Sequence, residues 1–362
     1  MKLVLATPLF PPDSGGPATD SVLLYKELPT YGIEATVCSF GTVRHLPRGI
    51  RHLCYTYNLL ISSFGANGII AFDTFSVCLP AVFVSRLLFI PLIVRVPGDF
   101  AWEQASQRFG VTDSIEVFQK KRYSFKVEMM RSLQSFAARS SVLLVVPSDF
   151  LRGIVAQWGI APKRLVRIYL GLDFNEETTA PSNVPEGKIL FSLGRFVPWK
   201  GFSMLIALMP DLPKGWHLVL AGNGLLREQF EQEVCELGVA DRVTFTGDIP
   251  RPEALGWYRR ADAFALNTSF ESFSFQILEA MTSGTPIITT AIGSIPELIT
   301  NGVEGVLCTP NDSEAFKKAI VSVETEPEKW KTRTEAAKRK AQEFSTTASV
   351  SAFVSLVTKI CA

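Results

Sequence analysis

The chain has 362 residues, of which 47% are hydrophobic and 20% charged. That composition suits folded α/β domains and excludes a disordered chain, and the length exceeds one ordinary core, so two domains of about 150–200 residues each are expected. Net charge is only +1, and no nucleic-acid partner is expected. The charge is unevenly spread: residues 1–172 carry 18 Lys+Arg against 11 Asp+Glu, or +7, and residues 173–362 come to −6. A basic first half suits an anionic acceptor or an anionic membrane face. The six cysteines and three histidines show no C-x-x-C or Cys/His spacing. Reduced thiols in a cytosolic protein are therefore expected, and no metal site.

In chain order, residues 2–7 read as a strand from the outset, with no secretory leader before it. The loop PLFPPDSGG follows, and Pro17 opens a helix to about residue 31. Strand, Gly15-Gly16 loop and helix form an arrangement that can set N–H groups against a phosphate, or a plain turn. Strands are expected over 34–39 and 68–72. The apolar run 79–96 contains Pro80, Arg86, Pro91 and Arg95, so it predicts a buried helix over 76–89 and a strand over 92–96 rather than a membrane span. In VPGDFAWEQASQRFG, Asp99 follows a strand end, where α/β folds place ligand contacts. Asp99, Trp102 and Glu103 are candidates for an acceptor pocket, with Asp99 positioning or deprotonating a hydroxyl. An N-cap or turn role for Asp99 is the alternative. A long helix over 112–138 carries Lys120, Lys121, Arg122, Lys126 and Arg131, either a docking site or a solvated face. A strand over 142–146, a Ser148-capped helix over 149–158 and a strand over 165–169 complete the first half.

The polar, proline-containing stretch 175–187 reads as a linker. A strand over 188–192 then runs into LGRFVPWKG, where Gly194 precedes two cations, Arg195 and Lys200. A strand over 217–221 turns through Gly222-Asn223-Gly224 into a helix over 225–237. A strand over 243–245 leads past Asp248 and Ile249 to a helix over 252–261. The strand 263–266 enters the central stretch NTSFESFSFQILEAMTSGTP. There a helix is expected over about 275–283, stopped by Gly284 with Pro286 beyond. Strands over 287–289 and up to 308 follow, then helices over 313–344 and a last helix over 347–360.

The central stretch suits an elongated ligand with an anionic middle. Free N–H groups around Ser274 to Gln276 can hold an anion, with Ser272, Phe273, Ser274 and Phe275 as donor-site candidates. Glu279 can accept from a diol on one side and Glu271 from a polyol on the other. A sugar nucleotide has that order of parts; a surface helix with two solvated glutamates after a buried strand is the alternative.

ESFSFQILEAMTSGTPII resembles the donor-site signature of the retaining glycosyltransferases of family four, with Ser274 where the family usually has Gly. LGRFVPWKG resembles its G-R-x4-K-G signature, and G-N-G its turn beside the nucleotide. PLFPPDSGG with the helix after it is similar to the family's N-terminus. YLGLD at 169–173 is similar to its crossing between domains. The resemblance implies a GT-B fold: α/β, two doubly wound Rossmann-like domains facing across a cleft. Residues 1–171 would bind the acceptor, with the helix about 346–362 packing back on them, and 172–345 would bind the nucleotide sugar. It implies transfer of a sugar, with retention, from a nucleoside-diphosphate sugar to a hydroxyl of a sugar or lipid-linked sugar acceptor. Polysaccharide, glycolipid or other glycoconjugate synthesis in the cytoplasm is the expected setting, and the +7 first half with its apolar character suggests the inner membrane face. Arg195 and Lys200 would grip the diphosphate, Glu271 would lie by the sugar and Glu279 would hold the ribose. Gly15 and Gly16 would meet the phosphates, and the base would pass Asp248 and Ile249. No cofactor or metal is implied. A sugar-nucleotide epimerase of the same architecture, or a non-catalytic partner subunit, are the alternatives.

Overall fold

A computed structural model describes residues 1–13, 15–47, 49–174 and 176–361. Ser14 of the first loop and Asn175, the first residue of the expected linker, lie outside the described residues. Two compact units are present: Met1–Gly171 with the C-terminal stretch from Thr346, and Leu172–Ser345.

The first unit is built on a parallel sheet of β1 (Lys2–Thr7), β2 (Glu34–Ser39), β3 (Gly68–Ala71), β4 (Leu92–Arg95), β5 (Leu143–Val146) and β6 (Leu165–Arg167). Their order is β2-β1-β3-β4-β5-β6, with Leu3 beside Ala35 on one side and Gly68 on the other. The inner strands are fully buried and, apart from Arg95 at the end of β4, apolar rather than alternating. Leu5, Ile70 and Ile93 share a core with Val350, Phe353 and Val357 of the helix Thr346–Cys361. That helix is fixed by a polar contact as well, Ser349 Oγ donating to the Tyr169 carbonyl at 2.7 Å. Beneath it Arg95 donates to both carboxylate oxygens of Asp20, at 2.6 and 2.8 Å, with its guanidinium 4.8 Å from the Phe353 ring centre.

The second unit has β7 (Lys188–Leu193), β8 (Trp216–Ala221), β9 (Val243–Gly247), β10 (Ala263–Leu266), β11 (Ile287–Thr290) and β12 (Val306–Cys308), in the order β12-β11-β10-β7-β8-β9, again all parallel. Chain order reverses between β7 and β10, so the crevice at their carboxyl ends is the place where doubly wound sheets bind ligands.

Two helical expectations are corrected, and two further helices are found. The helix expected over 17–31 is α-helical only over Gly16–Glu27, and Leu28–Tyr31 tightens to a 3-10 turn because Pro29 has no N–H to continue the ladder. The long helix expected over 112–138 is two, Ile115–Lys120 and Phe125–Ser140. Lys121 and Ser124 are extended between them, and Asp113 ties the break by accepting from Lys121 Nζ at 2.7 Å and Tyr123 Oη at 2.9 Å. Helices Ile50–Ser63 and Phe100–Arg108 stand where none was expected.

Candidate active site

The loop after β7 and the loop after β10 meet at the switch point. Trp199 O accepts from Ser269 N at 2.8 Å and from Thr268 Oγ1 at 3.0 Å, and Gly201 O accepts from Asn267 Nδ2 at 3.2 Å. Gly201 has φ 65°, and a β-carbon there would lie 2.0 Å from the Asn267 carbonyl oxygen. Only glycine satisfies both the left-handed backbone and the approach. This clasp carries Lys200 to Glu271, whose Oε1 accepts a hydrogen bond from Nζ. Both side chains are more than nine-tenths buried. Such a pair costs desolvation of two ions and persists only when each satisfies the other.

Helix Phe275–Ser283 begins beside this pair. Ser274 caps it from an extended backbone, φ −107°, its Oγ accepting from Ile277 N at 3.3 Å and donating to Gln276 Oε1 at 3.1 Å. That conformation is open to any residue, so Ser in place of the family's usual Gly imposes no strain. The first N–H groups, at Phe275 and Gln276, have no acceptor within the helix. Gly194 closes the same corner: a β-carbon on it would lie 3.6 Å from Gln276 Nε2 and 3.7 Å from Lys200 Cδ. The G-N-G turn packs onto this loop through backbone. Asn223 O accepts from Phe196 N at 2.8 Å, and a β-carbon on Gly222 would fall 2.1 Å from Gly194 O. Gly222 N in turn donates to Gly247 O at 2.8 Å, which brings the strand before Asp248 and Ile249 alongside.

Glu279 lies about 6 Å along the helix from Phe275 at 1.5 Å per residue. It is buried, and burial holds its carboxyl above the usual range although Arg251 and Tyr258 oppose the shift. Arg251 Nη1 pairs with Glu279 and its Nε with Glu176. The Tyr258 hydroxyl is raised well above its usual pKa by burial, with the charge of Glu279, and more weakly of Glu271, adding to it. One hydroxyl thus lies within electrostatic range of both carboxylates. Arg251, Glu176 and Tyr258 were not singled out in the sequence. A signal did exist: Arg251 heads a helix, where a cation opposes the macrodipole unless a specific carboxylate holds it.

Arg195 follows Gly194 in the loop after β7, and Ser272 is half-buried in the loop after β10. Phe273 turns inward, its ring centre 6.1 Å from those of both Phe275 and Phe344. In the first unit Gly15 caps helix Gly16–Glu27. Asp99 is a buried N-cap: Oδ1 accepts from Trp102 N and Gln134 Nε2, both at 3.0 Å, and Oδ2 from Gln119 Nε2 at 2.8 Å. Trp102 is itself buried, with Nε1 donating to Asp113 O at 3.0 Å, and Glu103 folds back against Gly98. No group of three or more His, Cys, Asp or Glu among the described residues is arranged to hold a metal ion.

Residues 174–340 match the family described as Glycosyl transferases group 1. This segment is a group 1 glycosyltransferase domain. Similar curated proteins include D-inositol 3-phosphate glycosyltransferase of Kribbella flavida, 29% identical over 226 residues, 56% of this chain and 52% of that protein. Glycogen synthase of Mycobacterium tuberculosis is 32% identical over 176 residues, 47% and 42%. The matches thus span about half the length of these relatives. Among solved structures, Anabaena Alr3699/HepE in complex with UDP and glucose superposes with a TM-score of 0.80 at 20% identity, covering 99% of this chain and all of that one. Sucrose-phosphate synthase from Thermosynechococcus elongatus gives 0.80 at 19%, covering 99% and 98%. These likenesses show the GT-B fold. The group 1 domain contains the whole Lys200–Glu271 and Arg251–Glu279 constellation.

Proposed function

We propose that the protein is a retaining glycosyltransferase that binds a nucleoside-diphosphate sugar on its second unit and transfers the sugar to a hydroxyl acceptor. One observation carries the reading: at the switch point of the second sheet, a buried cation, two buried carboxylates and a helix N-terminus converge. The diphosphate takes its place against Lys200, Arg195 and the Phe275 and Gln276 amides. Charge grows on the departing nucleoside diphosphate as the glycosidic bond breaks. Fixed cations and amides then stabilise that state more than the bound substrate. Glu271, released from Lys200 by the incoming phosphate, orients the sugar hydroxyls. Glu279 accepts from the ribose diol, displacing Arg251 from one of its oxygens. Attack comes from the face the leaving group occupies, and a donor phosphate oxygen receives the acceptor proton. The solved complex of HepE with UDP and glucose supports a nucleotide-sugar donor.

The acceptor falls to the first unit on the family resemblance. Asp99 acts there as a positioning residue, fixing the start of helix Phe100–Arg108 through the hydrogen bonds its carboxylate accepts.

Thermal-shift measurements with UDP-, GDP-, ADP- and dTDP-sugars test the reading. A true donor stabilises by about 2.7 kcal/mol at a hundredfold excess over Kd, and no stabilisation by any nucleotide rejects it. Products formed with donor alone then separate an epimerase from a transferase.

A further inference from the structure

The first unit turns a broad apolar surface outward. Helix Ile50–Ser63 presents Ile50, Leu53, Tyr57 and Ile61 to solvent, continued by Phe64. Spacings of three and four residues put them on one stripe, and Leu53 is 74% exposed. Helix Cys78–Leu88 packs beside it with Phe83 and Leu87 exposed, and helix Phe125–Ser140 packs beside that with Phe125, Met129 and Phe136 exposed. Arg86 joins the last two, its Nη2 donating to Ser140 Oγ at 3.1 Å and its guanidinium 5.6 Å from the Phe136 ring centre.

Charge on this surface is mostly positive. Between Glu34 and Asp99 the only carboxylate is Asp73. It is buried, and it caps its own turn by accepting from the Phe75, Ser76, Val77 and Cys78 amides. Along one flank of helix Phe125–Ser140 runs an open groove of about 380 Å³, whose lining holds Lys120, Lys121, Arg122, Arg131 and Arg139 with one carboxylate, Glu128. Residues 119–139 hold six Lys or Arg and one carboxylate, Glu128, which is already paired with Arg131.

We propose that the outer faces of these three helices dock the protein on an anionic lipid bilayer. The apolar stripes enter the headgroup boundary and the groove beside Phe136 takes lipid phosphates. No helix among the described residues is long and apolar enough to cross a membrane, so these helices lie along the surface. Apolar stripes with basic flanks bind there by buried area plus attraction to anionic headgroups. Aromatic side chains favour the same boundary. A protein partner of matching charge would have to be acidic where it meets the groove yet continuously apolar across three adjacent helices. A bilayer with phosphate at its surface and hydrocarbon below supplies both.

The test is flotation of the full-length protein with vesicles of phosphatidylcholine alone and of phosphatidylcholine with phosphatidylglycerol. The expected result is co-flotation with the anionic vesicles, weakened by salt as surface charges are screened. The double variant Leu53→Asp/Tyr57→Asp, at two exposed positions, should lose at least about tenfold in partitioning. Its circular dichroism and melting temperature should be unchanged. Lys120→Gln/Arg122→Gln/Arg139→Gln should remove the preference for anionic lipid. Free protein at the gradient bottom in every mixture overturns the proposal, as does equal flotation of the Leu53→Asp/Tyr57→Asp variant. A dimer that this variant splits, without any vesicle binding, assigns the surface to a second copy of the chain and also overturns it.

Discussion

Replacing Lys200 separates what its ion pair does for the fold from what it does for the ligand. Lys200→Ala leaves the Glu271 carboxylate more than nine-tenths buried without its partner. Breaking a buried pair in this way costs about 3–5 kcal/mol. For a unit of this size that corresponds to a fall in melting temperature of about 6–20 °C. The paired replacement Lys200→Met/Glu271→Leu removes both charges while keeping apolar volume, and such exchanges are often neutral. It should therefore restore most of the stability. Binding should not recover: the lost charge-assisted bond to a phosphate is worth about 1.5–3 kcal/mol, or about 10- to 150-fold in Kd. Urea unfolding followed by tryptophan fluorescence reads the first effect, and calorimetry with nucleoside diphosphates reads the second. If Lys200→Ala is as stable as the parent, the ion pair is not holding the two loops together. If the paired variant binds nucleotide as the parent does, Lys200 has no phosphate role.

Other outcomes follow from single residues. Glu279→Ala should weaken nucleoside diphosphate binding at least tenfold, since a carboxylate accepting from a diol makes two charge-assisted bonds worth about 1.5–3 kcal/mol each; unchanged affinity in calorimetry would remove the ribose assignment. Gly201→Ala puts a methyl 2.0 Å from the Asn267 carbonyl oxygen at φ 65° and should destabilise by at least about 2 kcal/mol; a neutral effect in urea unfolding would contradict the clasp. Burial raises the Asp99 carboxyl against the hydrogen bonds of Gln134, Trp102 and Gln119. Its stabilising contribution is thus fully present below the usual carboxylate range and lost as pH rises through the elevated folded value. Asp99→Asn keeps the cap to Trp102, so the stability advantage of the parent over this variant should shrink as pH rises from 4 toward neutrality. A constant gap across unfolding curves would show that Asp99 is not buried as a charge.

Much of this architecture was written locally. Strands 2–7, 34–39 and 263–266 coincide with the structure to the residue because each is a short run bounded by turn-forming neighbours. Helix Phe275–Ser283 likewise begins and ends as expected, Gly284 taking φ 75° at its end. Helix Ile50–Ser63 was not expected from the sequence, and it buries Tyr55 and Leu59 while turning Leu53, Tyr57 and Ile61 outward. Asp99 carried two readings, and its cap geometry became visible only once Gln119 and Gln134 were brought to it from 20 and 35 residues away. The Glu176–Arg251–Glu279 chain, with partners 75 and 28 residues apart, has no local signature beyond an arginine at the head of a helix.

A crystal structure of the full chain with its most stabilising nucleoside-diphosphate sugar tests the central claim most directly. The account predicts the diphosphate within hydrogen-bonding distance of Arg195, Lys200 and the Phe275 and Gln276 amides, with the ribose on Glu279 and the sugar beside Glu271. A ligand bound elsewhere, with the Lys200–Glu271 and Arg251–Glu279 pairs intact, would contradict it.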